Sequence, residues 1–193
     1  MNPPEIREAA VAGSRTATIS GQKLRYAMLG PESARRVLLA FNGIGASLET
    51  AVPFADAFQD TRILTFDVPG VGGSPAPSLP YRMTWVARLA ARLLDRLDIA
   101  RVDVFGVSWG GALAQQFVHD FPERGRSLTL AATSAGFVMV PGNPKVLARL
   151  VTPKLGAAVS VDRPGLAPGL AGSDPVLCFW PRDPSGDLHN KCD

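Results

Sequence analysis

Ser108 stands between two glycines, in the run Phe105-Gly106-Val107-Ser108-Trp109-Gly110-Gly111. A serine in the pattern Gly-x-Ser-x-Gly does chemistry when a strand enters the pattern and a helix leaves it. Its hydroxyl is then lifted off the sheet, where it can attack a carbonyl carbon. So sharp a bend has no room for a Cβ on either side, and Gly106 and Gly110 supply none. The helix that starts there offers unpaired N–H groups to the oxyanion such an attack creates. The chemistry in view is nucleophilic acyl transfer.

The pattern alone is weak, and its surroundings decide. Val102 to Phe105 is a short apolar run, and Ala112 to Phe121 reads as a helix. Upstream, Thr16–Ser20 and Lys23–Leu29 flank Gly21-Gln22 as a hairpin. Arg36 to Phe41 is a continuous apolar strand, of the kind buried on both faces of a parallel sheet. The glycine-rich turn Asn42-Gly43-Ile44-Gly45 follows it, then a helix expected from about Ser47 to Phe58, with Pro53 as a kink or late start. Thr61–Asp67 is the next strand and Val68–Pro75 its loop. From Met83 to Leu97, Val86, Leu89, Ala90, Leu93, Leu94 and Leu97 make one helical stripe, with Arg88, Arg92 and Arg96 on the solvated side. Ser127–Thr133 is a further strand. Strands alternating with helices predict an α/β fold with a mostly parallel sheet. Three loops, 42–45, 67–73 and the one at Ser108, then fall at the carboxyl ends of strands, where such sheets bind ligands.

Composition narrows the classes. The chain has 193 residues, 46% of them hydrophobic and 19% charged, enough for one globular domain. A net charge of +3 without a basic block gives no reason to expect nucleic acid as a partner. No apolar stretch reaches the roughly 18 residues of a membrane span, and Met1-Asn2-Pro3-Pro4-Glu5 lacks a signal-peptide layout. Cys178 and Cys192 have no metal-ligating neighbours, so a reduced cytoplasmic setting is expected, with no metal and no cofactor. The glycines around Gly70 miss the dinucleotide spacing, because Pro75 stands where the last glycine should be. Oligomeric state leaves no mark in the sequence. The expected organisation is a loose lead-in over 1–15, a core over 16–149 and an atypical, proline-rich tail over 150–193, a lid remnant or disordered.

A serine needs a base, usually a histidine oriented by an acid, and two N–H donors for the oxyanion. One donor is the residue after the serine, Trp109; the other comes from the loop after the third strand, which points to Ile44 or its neighbour. The base is the difficulty. His119 lies 11 residues beyond Ser108, about 16 Å along a helix, and reads as a surface residue. His189 follows Asp183 and Asp187 in the unpatterned tail, where no strand end is expected to carry the pair.

Four segments together resemble a known family: Phe41–Ala46, Phe66–Ser74, Gly106–Phe117 and Val138–Gly142. The resemblance is to the intracellular medium-chain-length poly(3-hydroxyalkanoate) depolymerases, α/β-hydrolases of bacterial storage granules, and runs from about Gly21 to Leu147. It implies an α/β-hydrolase fold, C-terminally incomplete, with Ser108 as nucleophile and the N–H groups of Ile44 and Trp109 as oxyanion donors. It further implies a polyester of 3-hydroxy acids as substrate and the granule surface as partner, hence a cytoplasmic, granule-associated location. The family's acid and base follow its lid, more than about 100 residues beyond the serine. The resemblance fades near Arg149, so the expectation is a truncated or frame-shifted chain without catalytic Asp and His. Such a chain should retain little activity and should expose the strand at Ser127–Thr133 as an apolar edge. Two other readings stand beside it: a general carboxylesterase or lipase of the same fold, and a granule-binding protein without catalysis.

Overall fold

The computed structural model describes residues 11, 13–133, 177–181 and 191–192. Strands β1 (Arg15–Ile19) and β2 (Gln22–Leu29) form an antiparallel hairpin. Ser20 and Gly21 both take positive φ, 51° and 82°, the backbone sign that two-residue hairpin turns require to match strand twist. β3 (Arg36–Phe41), β4 (Thr61–Phe66), β5 (Val102–Val107) and β6 (Gly125–Ala131) follow, then β7 (Leu177–Pro181) and β8 (Lys191–Cys192). They make one eight-stranded sheet in the order β1-β2-β4-β3-β5-β6-β7-β8. The centre is parallel, β4 to β3 to β5 to β6, and the flanks are antiparallel.

The helices follow from burial. Helix α2 (Met83–Arg96) buries Val86, Leu89, Ala90, Leu93 and Leu94 and leaves Arg88, Arg92 and Arg96 exposed, as its stripe requires. It packs beside α3 (Trp109–Asp120), whose Leu113, Ala114 and Phe117 are fully buried. Phe117 is the hub. Its ring lies 5.9 Å from Phe41 at the end of β3 and 5.7 Å from Phe121 just beyond the helix. The opposite face of the sheet carries a smaller cluster around Leu38, Ala40, Ala55 and Ile63.

Three expectations need correction. The helix expected over about 47–58, with Pro53 as a kink or late start, does start late: a 3-10 turn at Leu48–Ala51 precedes one α turn, α1 (Val52–Ala55), which ends three residues short of the expected Phe58. Pro53 is the reason for the late start: a residue without N–H fits only the first turn of an α-helix, so the α geometry cannot begin earlier. The strand expected at Ser127–Thr133 spans Gly125–Ala131 and is not an edge, because β7 pairs with it antiparallel along Ser127–Ala131. An open edge leaves ladder groups unpaired, and β7 takes them up. The tail carries no clear pattern in its sequence, yet Leu177-Cys178-Phe179-Trp180-Pro181 is a strand, its apolar run closed by a proline that argues against strand structure.

The site-bearing end of the sheet is held by close backbone contacts. A Cβ at Gly110 would lie 2.2 Å from the Phe41 carbonyl oxygen and 2.4 Å from that of Asn42. One at Gly106 would meet the Gly110 carbonyl oxygen at 2.4 Å and the Ala114 Cβ at 2.7 Å. Helix α3 therefore starts in direct main-chain contact with the ends of β3 and β5.

Two outcomes are expected from this packing. Phe117→Ala removes a buried ring from the hub and should cost about 3–5 kcal/mol in denaturant unfolding. Gly110→Ala should destabilise by at least the ~1–3 kcal/mol typical of overpacking, since backbone oxygens cannot swing aside. Wild-type stability in the latter variant would contradict the contact.

Candidate active site

Ser108 connects β5 to α3 with φ 54° and ψ −123°. A positive φ is uncommon for a residue with a Cβ and costs of order 1–3 kcal/mol, so the surroundings must impose it. They do so on both sides. The Ser108 N–H donates to the Ala131 carbonyl at 3.0 Å, tying the bend to β6, and its own carbonyl accepts from the Gly111 N–H at 2.9 Å, opening the helix. The serine itself is exposed. A side chain held at such a tip is free to meet a substrate while its backbone is not free to move.

The loop after β3 lies against it. A Cβ at Gly43 would sit 3.7 Å from the Ser108 Cβ, so the loop's bare backbone passes beside the serine. The turn Gly43–Ala46 is closed by the Ala46 N–H donating to the Gly43 carbonyl at 3.1 Å, with Gly45 at φ 71°. Among the described residues the Ile44 N–H has no acceptor, and Ile44 is 56% exposed. Trp109, as first residue of α3, likewise has no intrahelical acceptor for its N–H. Asn42 keeps the loop closed, its amide donating to the Ser47 carbonyl at 3.3 Å and to Thr65 Oγ1 at 3.4 Å.

Behind this loop lies a charged cluster that the sequence did not reveal. Asp67, at the end of β4, is fully buried. Its Oδ1 accepts from the Leu48 N–H at 2.7 Å; its Oδ2 accepts from the Gly73 N–H at 2.8 Å and from Arg25 at 3.2 Å. Arg25, on β2, reaches Glu49 with its other nitrogen at 2.5 Å, and its backbone N–H donates to Ser74 Oγ at 2.9 Å. The glycines of this loop wrap the pair: a Cβ at Gly72 would fall 2.4 Å from Asp67 Oδ2, and one at Gly73 would fall 2.3 Å from Arg25 Cδ. Burial alone would raise the Glu49 carboxyl, but hydrogen bonds from Arg25 and Ser47 hold it below the ordinary carboxylate range. The Arg25 guanidinium is held above its usual value chiefly by that same bond to Glu49, against the cost of its own desolvation. A lone Asp at a strand end followed by a glycine pair was the available signal.

Of the candidate bases, His119 sits at the far end of α3 with its ring 83% exposed and its Nδ1 3.1 Å from Asp120. The length of the helix separates it from Ser108. His189, Asp183 and Asp187 lie outside the described residues. A cavity of about 410 Å³ lined by Leu38, Phe54, Phe58 and Phe105 is also remote, since Arg36, Thr61, Asp103 and Ser127 mark it as lying toward the strands' N-terminal ends. No group of three or more metal-ligating side chains occurs among the described residues. Nor, among them, is any helix long and apolar enough to cross a membrane.

Comparison with known proteins agrees with this architecture. The chain is 54% identical over 141 residues to the poly(3-hydroxyalkanoate) depolymerase of Ectopseudomonas oleovorans, covering 72% of this chain and 50% of that one. It is 32% identical over 121 residues to 3-oxoadipate enol-lactonase 2 of Acinetobacter baylyi, covering 62% and 45%. The chain thus spans about half the length of the curated relatives it matches. The crystal structure of a hydrolase from Pseudomonas aeruginosa PA01 superposes with a TM-score of 0.62 at 27% identity, covering 74% of this chain and 55% of that one. A family model described as the alpha/beta hydrolase fold matches residues 36–158, which take in the loop after β3, the glycine-wrapped loop after β4 and the bend at Ser108, and the chain belongs to that family.

Proposed function

We propose that this chain carries the nucleophile and oxyanion-binding half of a serine ester hydrolase that cleaves a polyester of 3-hydroxy acids with medium-length alkyl side chains. The backbone of Ser108 carries the reading: an exposed serine at positive φ, beside a loop whose Ile44 amide has no partner among the described residues. The 54% identity to a poly(3-hydroxyalkanoate) depolymerase supports the choice of substrate. In the proposed reaction Ser108 Oγ attacks the ester carbonyl carbon and loses its proton to a base. The N–H groups of Ile44 and Trp109 take the developing oxyanion, a term commonly worth about 3–4 kcal/mol per donor. Collapse releases the alcohol end of the polymer and leaves an acyl group on Ser108, which water then removes. No described residue is assigned the base or the acid, because His119 is too far away.

The same proposal takes the surface of a polyester granule as the partner and the cytoplasm as the location. An apolar acyl chain suits the site: Ile44 stands exposed at its rim.

An alkyl fluorophosphonate is the direct test of the nucleophile. Prolonged exposure should give one adduct, mapped by peptide mass to Ser108, and none in Ser108→Ala. His119→Ala should label like the wild type. Equal labelling of other serines, or loss of labelling in His119→Ala, would contradict the assignment. With no base among the described residues, hydrolysis of p-nitrophenyl octanoate by this chain should be small, since a site lacking one retains only about 10³ to 10⁴-fold over water. A large Ser108-dependent rate would show a base in reach.

A further inference from the structure

We infer that Asp67 is the positioning residue of the oxyanion-binding loop, acting through the main chain and never touching substrate; this rests on the ester-hydrolase reading of Ser108. The loop from Asn42 to Ser47 is fixed at its near end by β3, and at its far end the Leu48 N–H donates to Asp67 Oδ1 at 2.7 Å. Ile44 lies between the two. The Asp67 carboxylate is fully buried, so water does not compete for these bonds. It is itself immobile: Oδ2 accepts from the Gly73 N–H at 2.8 Å and from Arg25 at 3.2 Å, and the Asp67 N–H donates to the Arg25 carbonyl at 2.9 Å. The bare backbone of Gly72, where a Cβ would stand 2.4 Å from Oδ2, closes the cradle.

The geometry demands a carboxylate. Three donors converge on its two oxygens, one on Oδ1 and two on Oδ2. An amide of the same shape would turn its NH₂ either toward Leu48 or toward both Gly73 and Arg25, and lose the bonds made there. A displacement of about 1 Å in a reacting site can cost on the order of 100-fold in rate. Letting the Leu48 end of the loop drift would move Ile44 relative to Ser108 by a distance of that kind. Asp103 offers a control. It is 6% exposed, accepts from Ser127 Oγ at 2.7 Å and from Arg36 at 3.1 Å, and sits at the other end of the sheet.

The experiment uses the full chain with an alkyl fluorophosphonate. The Ser108 Oγ–P bond forms, the P–F bond breaks, fluoride leaves and the hydroxyl proton passes to solvent. Labelling is resolved into a maximal rate and a half-saturating probe concentration for wild type, Asp67→Asn, Arg25→Lys and Asp103→Asn, and amide NMR signals of residues 43–48 are recorded alongside. Asp67→Asn should lower the maximal rate ~10- to 100-fold, leave the half-saturating concentration within about twofold, and shift the Ile44 and Leu48 signals. Arg25→Lys, which keeps the charge but cannot span both carboxylates, should lose rate in the same direction and less. Asp103→Asn should label at the wild-type maximal rate. A folded Asp67→Asn chain that labels at the wild-type rate overturns the inference alone; if that variant does not fold, an unaltered rate in Arg25→Lys does the same. An equal loss in Asp103→Asn also overturns it, by reducing the effect to general destabilisation. A wild type that takes no label overturns the nucleophile assignment and this inference with it, and that failure is visible without any variant.

Discussion

The start of helix α3 lies against the ends of β3 and β5 at distances only glycine permits, and the conformation of Ser108 depends on that contact. Gly110 passes the carbonyls of Phe41 and Asn42 where a Cβ would be 2.2 to 2.4 Å away, and Gly106 passes the Gly110 carbonyl at a similar separation. The chain must leave β5 and enter the helix within one residue, so that residue takes φ 54° whatever its side chain. The strain is local, of order 1–3 kcal/mol. What holds it is large by comparison: Phe117, Leu113 and Ala114 are fully buried and lock the helix to the sheet. The packing of α3 against the sheet therefore sets the serine's backbone.

A second constraint fixes the facing loop, and it is electrostatic. A buried carboxylate is tolerated only when its oxygens are satisfied, and Asp67 is satisfied by two main-chain N–H groups and a guanidinium. Because those donors come from β2, from the turn after β3 and from the loop after β4, satisfying one charge joins three segments. Ser108 thus faces a loop held by directional bonds while its own bend is held by shape.

Much of this was legible in the sequence, and the reasons for what was not are specific. The stripe on α2, the apolar runs of β3 to β5 and the Gly-x-Ser-x-Gly bend all report which face is buried or where a Cβ is forbidden, and residue type records those demands directly. The late start of α1 is legible in Pro53, whose missing N–H decides where α geometry begins, but its end at Ala55, ahead of the apolar Phe58, carries no mark in residue type. β7 is hidden because its short apolar run ends in Pro181, within a proline-rich stretch that argues against a strand. The Asp67 cluster was hidden for a different cause. Most of its bonds go to main-chain N–H groups, which every residue but proline has, so Leu48 and Gly73 carry no mark of their role.

The central claim is that the bend at Ser108 and the turn at Ile44 together form one anion-binding geometry. A crystal structure of the chain with an alkyl phosphonate bonded to Ser108 Oγ measures that most directly. The account predicts the phosphonyl oxygen within about 2.7–3.1 Å of both the Ile44 and Trp109 nitrogens. An oxygen turned to solvent, or met by neither amide, would contradict it.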